Sequence, residues 1–404
     1  MRLIIILSIL LITLSSAYCQ NYLESYQEMA LQNNPEVLAK YKLFEAAMEK
    51  TSQVNALPDP TISIGYFISP VETRVGPQRA RISLNQMFPW FGTLKAQGDA
   101  AAIEAQVYYQ QFLEAQLSVE LKVAKAYIPL QELKQLQKVA DHNLEYLKLI
   151  KTVATTLYEN DAVSLADVLR IDLNIQQLES RIKLLDEREK PLTIGLNNIL
   201  NQPDSFKINY DSLKLPNDQS VVPDLESHPV VQEMNYRKQA GDAKIQAIDK
   251  SSLPKFGVGI DYVFVDERTD MNVPDNGQNA LMPMVSFTLP IFRKKYRSAI
   301  NEVELQNESF ELMETSRINS LSTAYEDLSY RIYSENEKWR LYNELEKQTE
   351  TINRLLLTEY ETAGKNLNDL LQVQLQLLDY QEKKINACTN LNINYAEVKY
   401  LIKK

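Results

Sequence analysis

The groups in this chain best able to do chemistry are few and are not arranged for catalysis. The 404 residues include two histidines, His142 and His228, and two cysteines, Cys19 and Cys388. His142 falls in a helical pattern, and His228 precedes Pro229 at a helix start; neither has a cysteine or a patterned carboxylate beside it. A zinc centre needs three or four such ligands at set spacings. The HExxH, GxSxG and phosphate-binding glycine patterns do not occur. Glu187 and Glu189 read as ordinary helix-surface charges. The expectation is a protein that is not an enzyme, with no cofactor and no metal centre. Polar pairs at three-residue spacing remain: Asp167 with Arg170, and Asp369 with Gln372. Residues three apart share a helix face.

Each pair follows a break in a long helical region. The breaks read Tyr158-Glu-Asn-Asp-Ala-Val-Ser-Leu165 and Tyr360-Glu-Thr-Ala-Gly-Lys-Asn-Leu367. They are matching parts of a duplication. Asn34-Pro35 and His228-Pro229 each open a helix, which ends at Leu57-Pro58-Asp59-Pro60 or Leu253-Pro254. Two alternating runs follow in each half, the second ending at Pro89 or Pro290. The organisation expected is residues 1–19 as a leader, 20–200 and 229–404 as repeats, and 201–228 as an irregular connector with a short strand at Phe206 to Tyr210.

The leader has a basic Arg2, an apolar run from Leu3 to Leu14, and Ala17-Tyr18-Cys19 before Gln20. That is an export signal, cleaved after Cys19 or after Ala17. Cys19 invites lipidation, but bulky Tyr18 stands where that signal wants a small residue. If Cys19 leaves, Cys388 is the sole thiol and no intrachain disulfide forms. The net charge of −10 argues against a nucleic-acid partner.

Ile62, Ile64, Tyr66 and Ile68 alternate with Thr61, Ser63 and Gly65; Ala80, Ile82, Leu84 and Phe88 alternate with Arg79, Arg81, Ser83 and Asn85. In the second half, Phe256, Val258, Ile260, Tyr262 and Phe264 oppose Gly257, Gly259 and Asp261, and Val285, Phe287 and Leu289 oppose Ser286 and Thr288. A period of two places these sets on opposite sheet faces. Each run is near the ~9–11 residues of a tilted membrane strand. Phe88, Trp90, Phe91, Tyr262, Phe264 and Phe292 are placed for interfacial girdles. Such strands cannot close a membrane barrel within one chain, because the smallest have about eight. Closure requires a cyclic oligomer, and the arithmetic admits a dimer, trimer or tetramer.

From about Phe91 to Glu159 and Phe292 to Glu361 the chain reads as helix, each on the order of 100 Å long. Pro129 should kink the first or cost it a hydrogen bond. Leu165, Val168, Leu169, Leu173, Ile182 and Leu185, and Leu367, Leu370, Leu371, Leu375 and Leu378, form stripes, with Gln372, Gln374 and Gln376 as polar filler. A periplasmic coiled-coil adaptor or scaffold explains the helices but not the strand hairpins.

Taken together, the duplicated helix starts, Ser83-Leu-Asn-Gln-Met-Phe-Pro-Trp-Phe-Gly92, Val285-Ser-Phe-Thr-Leu-Pro-Ile-Phe292 and Gly364-x-x-Leu367-x-Asp369-Leu-Leu371 resemble the TolC-type outer-membrane efflux family. The resemblance implies a mixed fold: a long antiparallel α-helical barrel plus four membrane β-strands per chain, completing a 12-stranded transmembrane barrel as a homotrimer. It implies an outer-membrane location reaching into the periplasm, and passive conduction. The implied partners are a periplasmic adaptor and an inner-membrane pump of the resistance–nodulation–division type or an ABC transporter. Drug efflux and type I secretion fit the same duct. The Met87-Phe-Pro-Trp-Phe-Gly92 stretch is similar to outer-membrane partners of metal-exporting pumps (the CusC/CzcC kind), which points to heavy-metal cations as cargo.

The resemblance also implies roles for single residues. Asp369 matches an aspartate that lines the narrowed periplasmic entrance. Gln372 stands where TolC-like members often carry a second aspartate; Asp167 and Arg170 are the first-half counterparts. Adaptor contact is implied for the tips: Tyr158, Ala162 and Leu165, with Tyr360, Gly364 and Leu367.

Overall fold

The computed structural model describes residues 22–216 and 223–402. The leader and Cys19 lie outside the described residues. The first repeat contains α1 (Tyr22–Asn33), α2 (Pro35–Asn55), β1 (Thr61–Thr73), β2 (Gly76–Phe88), α3 (Thr93–Glu159) and α4 (Leu165–Leu200). The second contains α5 (Pro229–Ser251), β3 (Lys255–Val265), β4 (Ala280–Thr288), α6 (Lys294–Ala363) and α7 (Leu367–Ile402).

Local chemistry sets the ends of these elements. His228 is buried, and its Nδ1 accepts the Val230 N–H at 3.3 Å, capping α5 ahead of Pro229. Asn34 Oδ1 accepts the Glu36 N–H at 2.9 Å to start α2. At both places proline occupies the first helical position, where its missing N–H costs nothing. Pro129 does not end α3, which runs through it for 67 residues, and α4 likewise runs through Pro191; each proline, having no N–H, leaves one helical hydrogen bond unmade. Among the described residues no helix is long and apolar enough to cross a membrane.

The strands form one antiparallel sheet in the order β1-β2-β3-β4. Register carries the alternation across all four. Ile64 pairs with Ile82, Ile82 with Tyr262 and Tyr262 with Leu281; Phe88 pairs with Phe256 and Phe256 with Phe287. The apolar residues thus share one face and leave Ser63, Arg81, Ser83, Asn85, Gly259, Asp261 and Ser286 on the other. The Arg81 guanidinium pairs with the fully buried Asp261 carboxylate on that polar face. Gly259 leaves room there for the Asn85 side chain, since a Cβ would sit 1.9 Å from Asn85 Oδ1 and 3.1 Å from the Leu84 carbonyl oxygen.

The chain divides into two compact units, each drawing on both repeats. One comprises Met1–Leu38, Ala115–Leu225 and Ser320–Lys404, and its described residues are helical apart from Asn34, the connector and the turns at 160–164 and 364–366. The other comprises Ala39–Glu114 and Glu226–Asn319, and contains the sheet.

Phe206 to Tyr210, expected as a short strand, is irregular. It lies among helices that offer no strand edge, so side chains satisfy its backbone instead. The Asn209 N–H donates to Tyr26 Oη at 2.8 Å, and the Asp211 N–H to Tyr127 Oη at 3.0 Å. Asn197 Nδ2 donates to the Phe206 carbonyl at 3.1 Å.

Candidate functional site

Two surfaces stand out, one in each unit: the helical tips, and the apolar face of the sheet. At the tips, α3 turns into α4 through 160–164 and α6 into α7 through 364–366. Both turns use left-handed backbone: Asp161 has φ 60°, Gly364 φ 63° and Asn366 φ 64°. Gly364 is doubly constrained, because a Cβ there would lie 3.1 Å from Val163 Cγ1 and 3.2 Å from the Ala162 carbonyl oxygen. The two tip loops therefore touch each other at Gly364.

The repeat places Asp167 and Asp369 at equivalent positions in the first turn of α4 and α7. Their surroundings differ. Asp167 Oδ2 accepts the Ser164 N–H at 3.2 Å and the Ser164 hydroxyl at 2.9 Å, while Ser164 Oγ accepts the Asp167 N–H at 3.3 Å. This reciprocal capping box satisfies helix-end donors that would otherwise be orphaned. Asp167 is thus a half-buried capping residue. Arg170, expected at the entrance, reaches across to α7 and donates to Asn368 Oδ1 at 2.8 Å. Asp369 and Gln372 are exposed on one face of α7, and neither side chain has a hydrogen bond or ion pair among the described residues. Of the polar groups expected at the entrance, these two are free to meet solvent or a passing ion.

Of the residues expected to contact an adaptor, Tyr158 (42% exposed), Leu165 (52% exposed) and Ala162 are at the surface, and Gly364 is half-buried. Tyr360 and Leu367 are buried. They belong to the core beneath the tips, with Ile150, Ala154, Ile171, Leu370 and Leu371. Burial pushes the Tyr360 hydroxyl up to about 12, and the nearby Asp167 charge adds to the rise.

The stripes also divide differently from the sequence expectation. Ile171, Ile175 and Leu178 bury the inward face of α4, whereas Leu165, Leu169 and Leu173 form a second apolar line that stays more than half exposed. Gln374, expected as polar filler, is buried, as are Asn143 of α3 and Asn353 of α6. Asn353 Nδ2 donates to Gln374 Oε1 at 2.6 Å, Gln374 Nε2 to Asn143 Oδ1 at 2.5 Å, and Asn143 Nδ2 to Gln381 Oε1 at 3.0 Å. This amide ladder joins three helices. Ion pairs reinforce the same unit: Lys151 with Asp172 at 2.6 Å, Arg181 with Glu382, and Lys384 with Glu346. Burial raises the Glu382 carboxyl above its usual range, against the pull of Arg181.

The sheet is the second surface. Ile62, Ile64, Tyr66 and Ile68 are 66–93% exposed, and Val258, Leu281, Val285 and Phe287 are 52–67% exposed. A soluble sheet buries such a face; a face this apolar and continuous marks an interaction with lipid or another apolar surface. At the end of the sheet that joins the helices, Phe88 stacks on Phe256 at 5.3 Å, Phe91 lies 5.9 Å from Phe256, and Trp90 lies 6.1 Å from Phe91. An apolar band bounded by aromatics is the outward pattern of a membrane barrel. No group of three His, Cys, Asp or Glu side chains able to hold a metal ion occurs among the described residues.

No family model matches the sequence, and no curated protein matches it. Solved structures do match. A membrane protein from Pseudomonas aeruginosa aligns with TM-score 0.75 at 15% identity, over 95% of this chain and 94% of its own. CusC, described with its transmembrane channel formation, aligns with TM-score 0.76 at 14% identity, over 95% and 92%. The open state of the MtrE outer-membrane channel of Neisseria gonorrhoeae aligns with TM-score 0.72 at 15% identity, over 94% and 88%. At these identities the likeness establishes the fold alone: predominantly helical with a four-stranded antiparallel sheet.

Proposed function

We propose that this chain is one protomer of a trimeric, TolC-type outer-membrane channel that conducts passively. The observation that carries the reading is the exposed apolar face of a four-stranded sheet whose outer edges, on β1 and β4, have no partner strand among the described residues. In lipid, open edges leave backbone groups unpaired, so strands cross only as closed barrels. Three copies supply twelve strands, enough for closure. The exposed line of Leu165, Leu169 and Leu173 has the spacing to pack against a neighbouring helix in the same assembly.

In this reading the helices extend into the periplasm and the tips meet a periplasmic adaptor, through which an inner-membrane pump drives transport. Tyr158, Ala162 and Leu165 are the tip residues available for that contact. Three copies of Asp369 around the axis place an acidic ring at the entrance, which favours cations. Gln372 keeps the ring at one charge per chain. Heavy-metal cations are the proposed cargo, on the strength of the Met87 to Gly92 stretch. A periplasmic scaffold is disfavoured, because it gives the apolar sheet face nothing to cover it.

Cell fractionation tests the proposal. The mature chain should pellet with outer membranes and, after detergent extraction and cross-linking, migrate at three times the protomer mass. Recovery as a soluble periplasmic monomer overturns it.

A further inference from the structure

The two ends of the sheet treat positive charge differently. At the loop end two of the arginines have an acid, Arg79 with Asp266 at 2.5 Å and Arg268 with Asp270 at 2.6 Å, while Arg74 is exposed with no ion pair among the described residues. At the helix end, Arg293, Lys294, Lys295 and Arg297 are all exposed, and none has an ion-pair partner among the described residues. Lys255, at the start of β3 beside the aromatic cluster, is likewise exposed and unpaired. Asp59 is the only acid in the segments joining strands to helices there, 56–60, 89–92, 252–254 and 289–293.

Four cations within five residues are unusual in a chain of net charge −10. Their position is also unfavourable in isolation. They flank or occupy the first turn of α6, which contains no acid, and the positive end of a helix dipole repels cations. Local rules are broken in this way where function compensates. The cations continue directly from Leu289, Ile291 and Phe292, which are 65–77% exposed, and follow β4, whose Phe287 pairs with Phe256 of the Phe88, Trp90, Phe91 and Phe256 cluster. Lys295 lies over the Tyr296 ring at 4.7 Å, and none of the four meets an acid; an apolar surface, an aromatic border and a row of cations without acid partners, in that order, complement acyl chains, interface and phosphate headgroups.

We infer that this collar binds anionic glycerophospholipid headgroups in the periplasmic leaflet of the outer membrane. The inference rests on the channel reading, which places the helix end of the sheet at that leaflet. Basic residues beside a membrane surface each gain on the order of a fivefold preference for anionic lipid, and the effect fades within a Debye length.

The test uses the mature full chain in phosphatidylcholine nanodiscs and measures association of spin-labelled phosphatidylglycerol relative to spin-labelled phosphatidylcholine. The wild type should prefer phosphatidylglycerol by at least about fivefold, the contribution of a single cation, falling towards one as salt is raised. The variant Arg293→Gln/Lys294→Gln/Lys295→Gln/Arg297→Gln should show a ratio near one at low salt. Lys338→Gln/Arg340→Gln, which neutralises cations of α6 that are paired with Glu335 and Glu337, should keep the wild-type ratio. A wild-type ratio of one, a salt-independent ratio, or equal ratios in wild type and fourfold variant would overturn the lipid contact. If the fourfold variant does not insert, the wild-type ratio and its salt dependence decide. Insertion without headgroup preference rejects the contact alone; failure of the wild type to enter nanodiscs rejects the channel reading as well.

Discussion

Gln374→Leu should destabilise the helical unit by about 2–5 kcal/mol and lower its melting midpoint, followed by far-ultraviolet circular dichroism, by roughly 5–10 °C. The size follows from what the substitution leaves behind. Gln374 accepts from Asn353 and donates to Asn143, and all three are buried. Leucine removes both bonds, stranding the Asn353 donor and the Asn143 acceptor away from water, at about 1–3 kcal/mol each. The lost bonds themselves matter less, since each is worth only about 1 kcal/mol net against water. Replacing the ladder's three buried members with Asn143→Leu/Asn353→Leu/Gln374→Leu should therefore recover most of the loss, because no fully buried amide of the ladder is then stranded and Gln381, which loses Asn143, is only half-buried. A triple variant less stable than the single would show that packing, not polar satisfaction, sets the cost.

Ile64→Arg should reduce the fraction folded into lipid vesicles by about thirtyfold or more, read by protease protection and heat-modifiable gel mobility. An arginine facing lipid near the bilayer midplane of a barrel costs about 2–4 kcal/mol. Ile64 is 78% exposed and lies in the middle row of the apolar face, in register with Ile82 and, through it, Tyr262 and Leu281. Ser63→Arg, one residue away on the opposite face, should fold nearly as the wild type does. On a water-facing sheet the order reverses or vanishes, since an exposed isoleucine loses nothing by becoming arginine. The pair of variants thus separates a membrane face from a solvated one through side-chain direction alone.

The sheet was legible in the sequence because a period of two leaves little freedom: once Ile62, Ile64 and Tyr66 share a face, so must Ile82, Ile260 and Val285 across the register. The tips were legible only in outline. The breaks at 160–164 and 364–366 announce themselves through Asn, Asp and Gly, but the fates of Asp167 and Asp369 depend on what precedes each. Ser164 reciprocates the cap for Asp167, whereas Asn366 adopts a left-handed backbone and turns its side chain back to Glu359 at 2.8 Å. A serine three residues before an acid was the available signal for the capping box.

Gln374 shows a different obstacle. It reads as polar filler because its partners come from other helices, Asn143 standing 231 residues away in the chain. The same holds for Phe206 to Tyr210, whose alternation reads as a strand but has tyrosine hydroxyls, not a strand edge, to bond. Tyr360 and Tyr158 match in sequence yet differ completely in burial. The two tips are not equivalent, although the repeat makes them look so.

Single-channel recording in planar bilayers tests the central claim most directly. Purified wild-type protein should insert to give discrete, long-lived current steps with a preference for cations, and Asp369→Ala should weaken that preference while still conducting. Protein that is folded and lipid-exposed yet never produces steps would contradict the account.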